Sequence, residues 1–432
     1  MDKVLVFSPC YSERFAYVLE CFSRILELDF CYTNSFEDFK NAEDIVRINY
    51  SKVQFDNVLQ ISPIDLLFEH DVNLQTIECK EWNKLPCFFI TNFDNEIPFD
   101  IFAATFYLTT RYEEYTATRK DEHGRFCCED SVAYQNKFLH RPIVDLWAFE
   151  LLKRIKPDHE IKREFGFLPT IDVDTFYKYR RKGILGSLFL LVKSLLEKDF
   201  KGITERLDVI LGKQKDPYFN FEQIVDLHHE FDFTPLFFFH MGGNGRFDKK
   251  MLFPTKSKSY KRIIYKISKI SNVGLHLSYK AAFSLKRIRK EKYNLEKIIR
   301  HPISKNRFHF LRFRLPESYQ LLIENGIKED YSMLYANEIG FRAGTSFPYM
   351  YFDLQKNRKL PLKIYPTAMM DATLLRKKNE GFENLSILTT SMLNDVKYTK
   401  GCFVTLFHNE HLVKEEILYF YKSLLKQVNN TI

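Results

Sequence analysis

The sequence has no CxxC motif, no internal repeat, no low-complexity linker and no motif typical of nucleic-acid-binding proteins, so a nucleic-acid partner is not expected. Its amino-terminal stretch lacks the long apolar segment that a signal peptide requires, which predicts a cytoplasmic protein. In that compartment, and without CxxC spacing, the 8 cysteines are expected to be reduced thiols. The most apolar run, residues 184–196, is too short to cross a bilayer and contains Lys193, so a packed or interfacial helix is expected there.

The composition nevertheless provides enough apolar surface for large cores. Hydrophobic residues make up 45% of the 432 residues and aromatic residues 16%, which is typical of a globular chain with two domains, or with one barrel and an appended module. The net charge is +8, and much of the excess lies between Lys249 and Arg314. Two interpretations remain open: solvated helix faces, or a surface for an anionic saccharide or for the headgroups at the inner surface of a membrane.

The first part of the chain has the pattern of an α/β domain. A strand-like VLVFS is followed by a helix-like ERFAYVLECFSRILEL, whose apolar residues recur at helical spacing. The polar stretch KPDHEIKREFG contains Pro157 and Gly166 and is typical of a domain boundary. We therefore predict an N-terminal α/β domain over residues 1–160 and a second domain over residues 161–432.

The second part alternates short strand-like segments with helical or loop material, and about eight such segments predict a distorted (β/α) barrel of about 7–8 strands. The segments are FLPTIDVD, PLFFFHMGG, VGLHLSY, FHFLRF, DYSM, GFRAG, LKIYPTAMMD and CFVTLFHNE. Polar side chains cluster at their carboxyl ends, where active sites of such barrels form. The chain is therefore expected to be an enzyme. The clustered residues are Asp172, Asp174, His240, His276, Ser278, Asp371 and His408.

The pair of carboxylates in TIDVD is the pattern most informative about a possible catalytic site. Asp172 and Asp174 are spaced i, i+2 on a strand and project from the same face, where their charges repel. One interpretation is a cap for the following helix. The other is a cation beside one carboxylate, with the second left free as a general base. Two interpretations are also open for His276, a hydrogen-bonded core residue or a zinc ligand. A catalytic zinc commonly has three protein ligands.

These segments resemble the motifs of polysaccharide deacetylases, carbohydrate esterase family four. TIDVD, GLHLSY, FRLP, DYS and LFH occur in the order of that family's motifs, from about Phe165 to the C-terminus, as in a long-chain bacterial branch with its own N-terminal domain. The resemblance implies a distorted (β/α) barrel that removes acetyl groups from N-acetylated sugars with a divalent metal. It implies that Asp172 is the base, that Asp174 and His276 bind the metal, and that His408 of the final Leu-x-His motif protonates the leaving amine.

One departure from the family pattern concerns the metal ligands. The second motif usually has two histidines four residues apart, and the second position is Lys280 here. His309 in RFHFLRF is the predicted replacement, because neighbouring strands of a sheet lie about 4.8 Å apart. The predicted metal ligands are therefore Asp174, His276 and His309, and the predicted metal is zinc, with cobalt or nickel as alternatives.

Several further residues are expected to bind the substrate or to orient the catalytic groups. Arg307, Arg314 and Arg342 are candidates to keep Asp172 ionised, since an opposite charge lowers the pKa of an aspartate. Arg342 in GFRAGT could equally form a structural ion pair. Asp330 and Asp371 are expected to orient Arg or His groups or to bind sugar hydroxyls, with a helix cap as the alternative.

Two other functions remain open. A non-catalytic saccharide-binding or assembly protein on a decayed barrel is favoured by Lys280. A hydrolytic centre for a non-sugar C–N bond is the third possibility. The N-terminal domain is expected to pack on the barrel.

Overall fold

The computed structural model describes residues 2–92, 94–180, 192, 194–196, 198–243, 245–248 and 257–429. Two hydrophobic cores organise this part of the chain. One lies within Val4–Ile161 and also contains Tyr335, Phe347, Phe352 and Leu354, and the other extends from Ile171 to Val428. The region after residue 161 therefore contributes side chains to both cores.

The amino-terminal region is a small parallel sheet covered by helices. Its four-stranded sheet has the order β2-β1-β3-β4, and every neighbouring pair is parallel. The helix Glu13–Leu26 begins where Ser12 accepts a hydrogen bond from the Phe15 N–H, and it ends at Glu27 in a left-handed conformation. The strands are β1 Lys3–Phe7, β2 Asp29–Thr33, β3 Val46–Asn49 and β4 Leu59–Gln60, with the hairpin β5 Lys80–Trp82 and β6 Leu85–Cys87. The helices are α1 Glu13–Leu26, α2 Phe36–Asn41, α3 Ile101–Thr109, α4 Tyr112–Thr116, α5 Val132–Gln135 and α6 Ile143–Ile155.

The second region is built on a larger sheet with the order β12-β13-β11-β10-β9-β8-β7-β15-β14. All neighbouring pairs are parallel except β12 and β13. The strands are β7 Gly166–Val173, β8 Leu236–His240, β9 Val273–Leu277, β10 Lys305–Phe308, β11 Glu329–Asp330, β12 Tyr349–Asp353, β13 Arg358–Ile364, β14 Met369–Met370 and β15 Cys402–His408. The helices are α7 Phe200–Ile210, α8 Phe221–His229, α9 Lys258–Ile267, α10 Leu285–Ile299, α11 Glu317–Glu324, α12 Asp371–Arg376, α13 Phe382–Tyr398 and α14 Glu415–Asn429.

The predicted α/β class and the parallel strands of this region are confirmed. Within the described residues, however, the strand ladders do not join the two edges of the sheet into a closed barrel. A main-chain hydrogen bond of 3.1 Å from Thr367 N–H to the Met333 carbonyl connects the segments that follow β11 and precede β14. The sheet is thus curved enough to bring these segments together.

Several predicted strand segments differ in the structure. Of DYSM, residues 330–333, only Asp330 lies in a strand, and LKIYPTAMMD is divided between β13 and β14. In FHFLRF, β10 ends at Phe308, because Phe310 and Leu311 have φ of 61° and 52° and cannot continue an extended strand. GFRAG contains no strand: Gly340 and Gly344 have φ of 138° and 67°, and a Cβ at Gly340 would collide with the Leu139 carbonyl. This segment is a loop that contacts the amino-terminal region.

The remaining expectations concern thiols and membranes. The cysteines are free thiols. None of the helices in the described ranges is long and apolar enough to cross a membrane. Of the apolar run 184–196, residues 184–191 and 193 lie outside the described residues, as does Lys249 at the start of the basic stretch.

Candidate metal centre

The carboxyl ends of four of five neighbouring strands supply the polar residues of one cavity. In the order β10-β9-β8-β7-β15, Arg307 is aligned with His276, and Asp172 is aligned with His408. Because side chains of a strand alternate between faces, Asp174 lies on the face of Asp172. The cavity has a volume of about 180 Å³. Its polar lining includes Asp172, Asp174, His276, His309, His408 and His411.

Three of these side chains converge on one point. The Nε2 atom of His276 lies 3.1 Å from one carboxylate oxygen of Asp174, and the Nε2 atom of His309 lies 3.2 Å from the other. All three residues are buried, and their ligand atoms lie within 4.8 Å of one another. Two imidazole nitrogens and a carboxylate oxygen are a donor set that a zinc ion or another divalent cation accepts. The structure thus brings together the three residues that the sequence predicted as metal ligands.

The hydrogen bonding of His276 determines which nitrogen faces this point. Its Nδ1 atom lies 3.0 Å from the Arg307 carbonyl oxygen, which can only accept, so Nδ1 carries the hydrogen. The Nε2 atom is buried and faces the Asp174 carboxylate at 3.1 Å. When Nε2 carries no hydrogen, it directs a lone pair at that carboxylate. Two acceptors at 3.1 Å require a cation between them, either a proton or a metal ion.

His309 is oriented by a second carboxylate. Its Nδ1 atom lies 3.1 Å from Asp248, whose carboxylate also accepts the Tyr279 N–H. A carboxylate on the far nitrogen of a histidine fixes the ring and its tautomer, as is common for metal-binding histidines. Burial opposes the charged form of His309, but Asp174 and Asp248 together outweigh it and raise the pKa of His309 to about 9. In the metal-free protein a proton on His309 therefore faces Asp174.

A second group of possible ligands shares His309. It consists of His240, Asp248 and His309, and Asp248 is not among the site residues predicted from the sequence. Burial, together with the charge on His309, lowers the pKa of His240 to about 3, so its ring is neutral. Because Asp248 already accepts from His309 and Tyr279, it is placed to orient His309 rather than to bind a cation itself.

Asp172 has a different partner from Asp174. Arg307 donates from Nη1 to Asp172 over 2.8 Å and to the Thr170 hydroxyl over 2.6 Å, and from Nε to the Tyr331 carbonyl. Both Arg307 and Asp172 are almost completely buried. Of the three arginines considered from the sequence, Arg307 is the one that contacts Asp172.

Another part of the cavity wall carries a histidine that contacts a carboxylate. His408 Nδ1 lies 2.7 Å from Asp371, which also accepts the His408 main-chain N–H over 2.6 Å. His411 Nδ1 lies 3.2 Å from the same carboxylate. Burial opposes the charge on His408, but Asp371 outweighs it and raises the pKa of His408 to about 10. His408 is therefore protonated at neutral pH, with Nδ1 engaged by Asp371.

Asp371, His408 and His411 also form a group with metal-ligand spacing. The lone pairs of Asp371 are directed at two imidazole nitrogens and a main-chain N–H, which leaves little capacity for a cation. The His408 imidazole lowers the pKa of Asp371 in spite of the burial that acts to raise it. This group is better suited to holding a proton.

Three residues considered from the sequence lie in other surroundings. Arg314 is half exposed and lies 3.4 Å from Glu317. Arg342 is buried and pairs with both carboxylate oxygens of Glu114. This is the structural ion pair that the sequence left open as its alternative role. Asp330 is buried and accepts from Asn306, Tyr319 and Ser332. None of these three lines the cavity.

Known proteins are similar to parts of this chain. Residues 4–159 match the model of a family of unknown function, DUF7033. No curated protein sequence matches the chain. Among solved structures, the chain is similar to a candidate polysaccharide deacetylase from Mycobacterium smegmatis, with 12% identity, a TM-score of 0.40, and coverage of 63% of this chain and 86% of that chain. It is also similar to an allantoinase, with 11% identity, a TM-score of 0.41, and coverage of 63% and 87%. These similarities transfer no activity to this chain.

Proposed function

We propose that this protein is a metal-dependent amide hydrolase that removes the acetyl group from an N-acetylated sugar or polysaccharide precursor. The observation that carries the proposal is the arrangement of His276, whose buried Nε2 lies 3.1 Å from Asp174 while its Nδ1 donates to a main-chain carbonyl, so that a cation must lie between Nε2 and the carboxylate. The choice of an acetylated sugar rests on the order of the TIDVD, GLHLSY and LFH motifs.

The residues present fit a divalent cation. Asp174, His276 and His309 would hold it, and Asp248 would keep His309 in the correct tautomer. When bound, such a cation supplies Lewis-acid chemistry toward an amide carbonyl. Three protein ligands leave coordination positions open, as in hydrolytic zinc sites.

Asp172 is placed to act as the general base. Arg307 donates to its carboxylate over 2.8 Å, and this guanidinium cation stabilises the carboxylate charge independently of the metal ligands. One of its oxygens lies 3.6 Å from His276 Nε2, which places the base next to the metal ligands. In the proposed reaction Asp172 takes a proton from the attacking water.

His408 is placed to act as the general acid. Amide cleavage expels an amine, which needs a proton on its nitrogen as the C–N bond breaks. His408 carries that proton at neutral pH, and Asp371 on Nδ1 leaves Nε2 as the donor toward the cavity. The base and the acid thus lie on adjacent strands, β7 and β15.

The proposal is tested by metal analysis and acetate release. The purified protein should bind about one Zn²⁺, Co²⁺ or Ni²⁺ ion and release acetate from chitin oligomers or from UDP-linked N-acetylamino sugars. Asp174→Ala should abolish metal binding. Asp172→Asn should retain the metal but lower acetate release by at least about a hundredfold, a typical effect of removing a general base.

An exposed carboxylate provides the matched control. Asp226→Ala, on the surface of α8, should change neither metal binding nor activity. Metal retained by Asp174→Ala would contradict the ligand assignment. Saccharide binding without acetate release at any pH would instead favour a non-catalytic binding protein.

A further inference from the structure

The turn that carries His309 is strained and is held by the amino-terminal region. Directly after His309, two consecutive non-glycine residues, Phe310 and Leu311, have positive φ. Such conformations are unfavourable for side chains with a Cβ and persist only where the surroundings impose them. The position of the predicted ligand therefore depends on contacts made by the following two or three residues.

Two of those contacts come from one hairpin of residues 120–126. Arg125 donates from Nη1 to the Phe310 carbonyl over 2.6 Å, and Arg312 donates from Nε to the His123 carbonyl over 3.0 Å. The His123 ring also packs against the Phe310 ring, with centroids 5.1 Å apart. The hairpin thus forms hydrogen bonds with the turn on both sides of Leu311.

The hairpin is itself preorganised for this contact. Lys120 and Phe126 form an antiparallel bridge, and Asp121 accepts hydrogen bonds from the main chain of His123 and Arg125. Asp121 also accepts from Arg125 Nε over 2.7 Å, which fixes the guanidinium. The Arg125 side chain is only 11% exposed, and Arg125 lines the same cavity as His309.

The hairpin and Arg312 also contact Tyr279, the neighbour of Lys280, where the expected second histidine of GLHLSYK is missing. Arg312 donates from Nη1 to the Tyr279 carbonyl over 2.8 Å, and the Tyr279 hydroxyl lies 3.2 Å from His123 Nδ1. The Tyr279 N–H in turn donates to Asp248, which orients His309. The residues around Lys280 thus tie the hairpin to the ligand.

We propose that the hairpin of the amino-terminal region, with Arg125 as its positioning residue, holds the His309 turn in the conformation that binds the metal. This inference rests on the proposed function, because it assumes that His309 is a ligand. It assigns a role to the region matched by the family of unknown function: that region completes the metal centre of the other domain. Arg125 acts through the Phe310 carbonyl and is not itself a ligand.

The test measures Co²⁺ affinity and the Co²⁺ absorption spectrum of full-length variants. Arg125→Met keeps the length of the side chain and removes the guanidinium, and it should raise the Co²⁺ Kd about tenfold, as expected for loss of a residue that orients a ligand. At saturating Co²⁺ its d–d absorption bands should also differ from those of the wild type. Asp121→Asn should shift the affinity in the same direction by a smaller factor, and it carries the test if Arg125→Met does not fold.

Arg119→Met is the matched control, since Arg119 lies next to the hairpin, is 59% exposed and pairs with Asp130. It should leave the Kd and the spectrum unchanged. If the wild type binds Co²⁺ and the Arg125→Met and Asp121→Asn variants have the same Kd and spectrum as the wild type, this inference alone is wrong. That holds even if the melting temperature of the variants is lower. A wild type that binds no Co²⁺ would overturn the proposed function, and this inference with it.

Discussion

Replacing Asp371 by asparagine should move the alkaline limit of activity to much lower pH. Asp371 accepts from His408 twice, from Nδ1 over 2.7 Å and from the main-chain N–H over 2.6 Å. An asparagine oxygen can still accept one of these hydrogen bonds but carries no charge. The substitution therefore removes the charge that keeps His408 protonated while changing the shape of the side chain little.

The magnitude follows from the pKa of His408. Burial alone would lower it below the ordinary value of 6.5, and Asp371 is the main cause that raises it to about 10. The difference corresponds to roughly 5 kcal/mol of interaction with the charged imidazole. A general acid must be protonated, so activity is lost as pH rises through its pKa. In the wild type this loss should occur near pH 10, and in Asp371→Asn below about pH 6.5.

The assay is the pH dependence of kcat/KM for acetate release, which reports groups of the free enzyme. At pH 8 less than about one thirtieth of the Asp371→Asn molecules would carry the proton, so kcat/KM should fall at least roughly thirtyfold. Asp395→Asn is the control, because Asp395 pairs with Arg141 elsewhere on the surface. NMR titration of the His408 ring tests the same pKa without a substrate.

Two results would refute this reasoning. If the alkaline limits of the wild type and of Asp371→Asn coincide, His408 is not the acid whose protonation limits the reaction. If the His408 ring of the wild type titrates near 6.5, the contact with Asp371 does not raise its pKa.

Two further predictions concern the other carboxylates. Arg307→Met should lower the free energy of unfolding by about 3–5 kcal/mol in urea denaturation, because it leaves the buried Asp172 carboxylate without its cation. Unfolding at wild-type urea concentrations would contradict this. Metal binding should tighten at least about tenfold for each pH unit up to about pH 9, because the metal must displace at least the proton that His309 holds beside Asp174. Calorimetry in buffers of different ionisation enthalpy should therefore show at least about one proton released at pH 7, and a pH-independent Kd would argue against His309 as a ligand.

The convergence of the candidate ligands could be predicted from the sequence because it depends on strand geometry. Asp172 and Asp174 share a face of one strand, and His276 ends another. His309 lies two residues beyond Arg307, which is aligned with His276 in the sheet, so alternation returns it to the same side. Local periodicity and adjacency of strands thus predict the side of the sheet on which these residues lie, but not the turn that holds His309.

The residues that orient the ligands could not be predicted in the same way. Asp248 lies in a loop after β8, and a loop has no periodicity that fixes where a side chain points. The hairpin around Arg125 meets the His309 turn across 185 residues of sequence. GFRAG was misassigned as a strand because its apolar residues suggest one, whereas the left-handed conformations of Gly340 and Gly344 exclude it. Such contacts are set by tertiary packing.

The two carboxylates of TIDVD are compatible because each faces a different kind of cation. The guanidinium of Arg307 is a cation that belongs to the protein, so the charge of Asp172 is stabilised whether or not a metal is bound. Asp174 faces His309, whose proton can leave when a metal ion takes its place. Exchange of the metal thus changes the partner of Asp174 and not that of Asp172. A base that must take a proton from water in each cycle is best placed beside the cation that does not exchange.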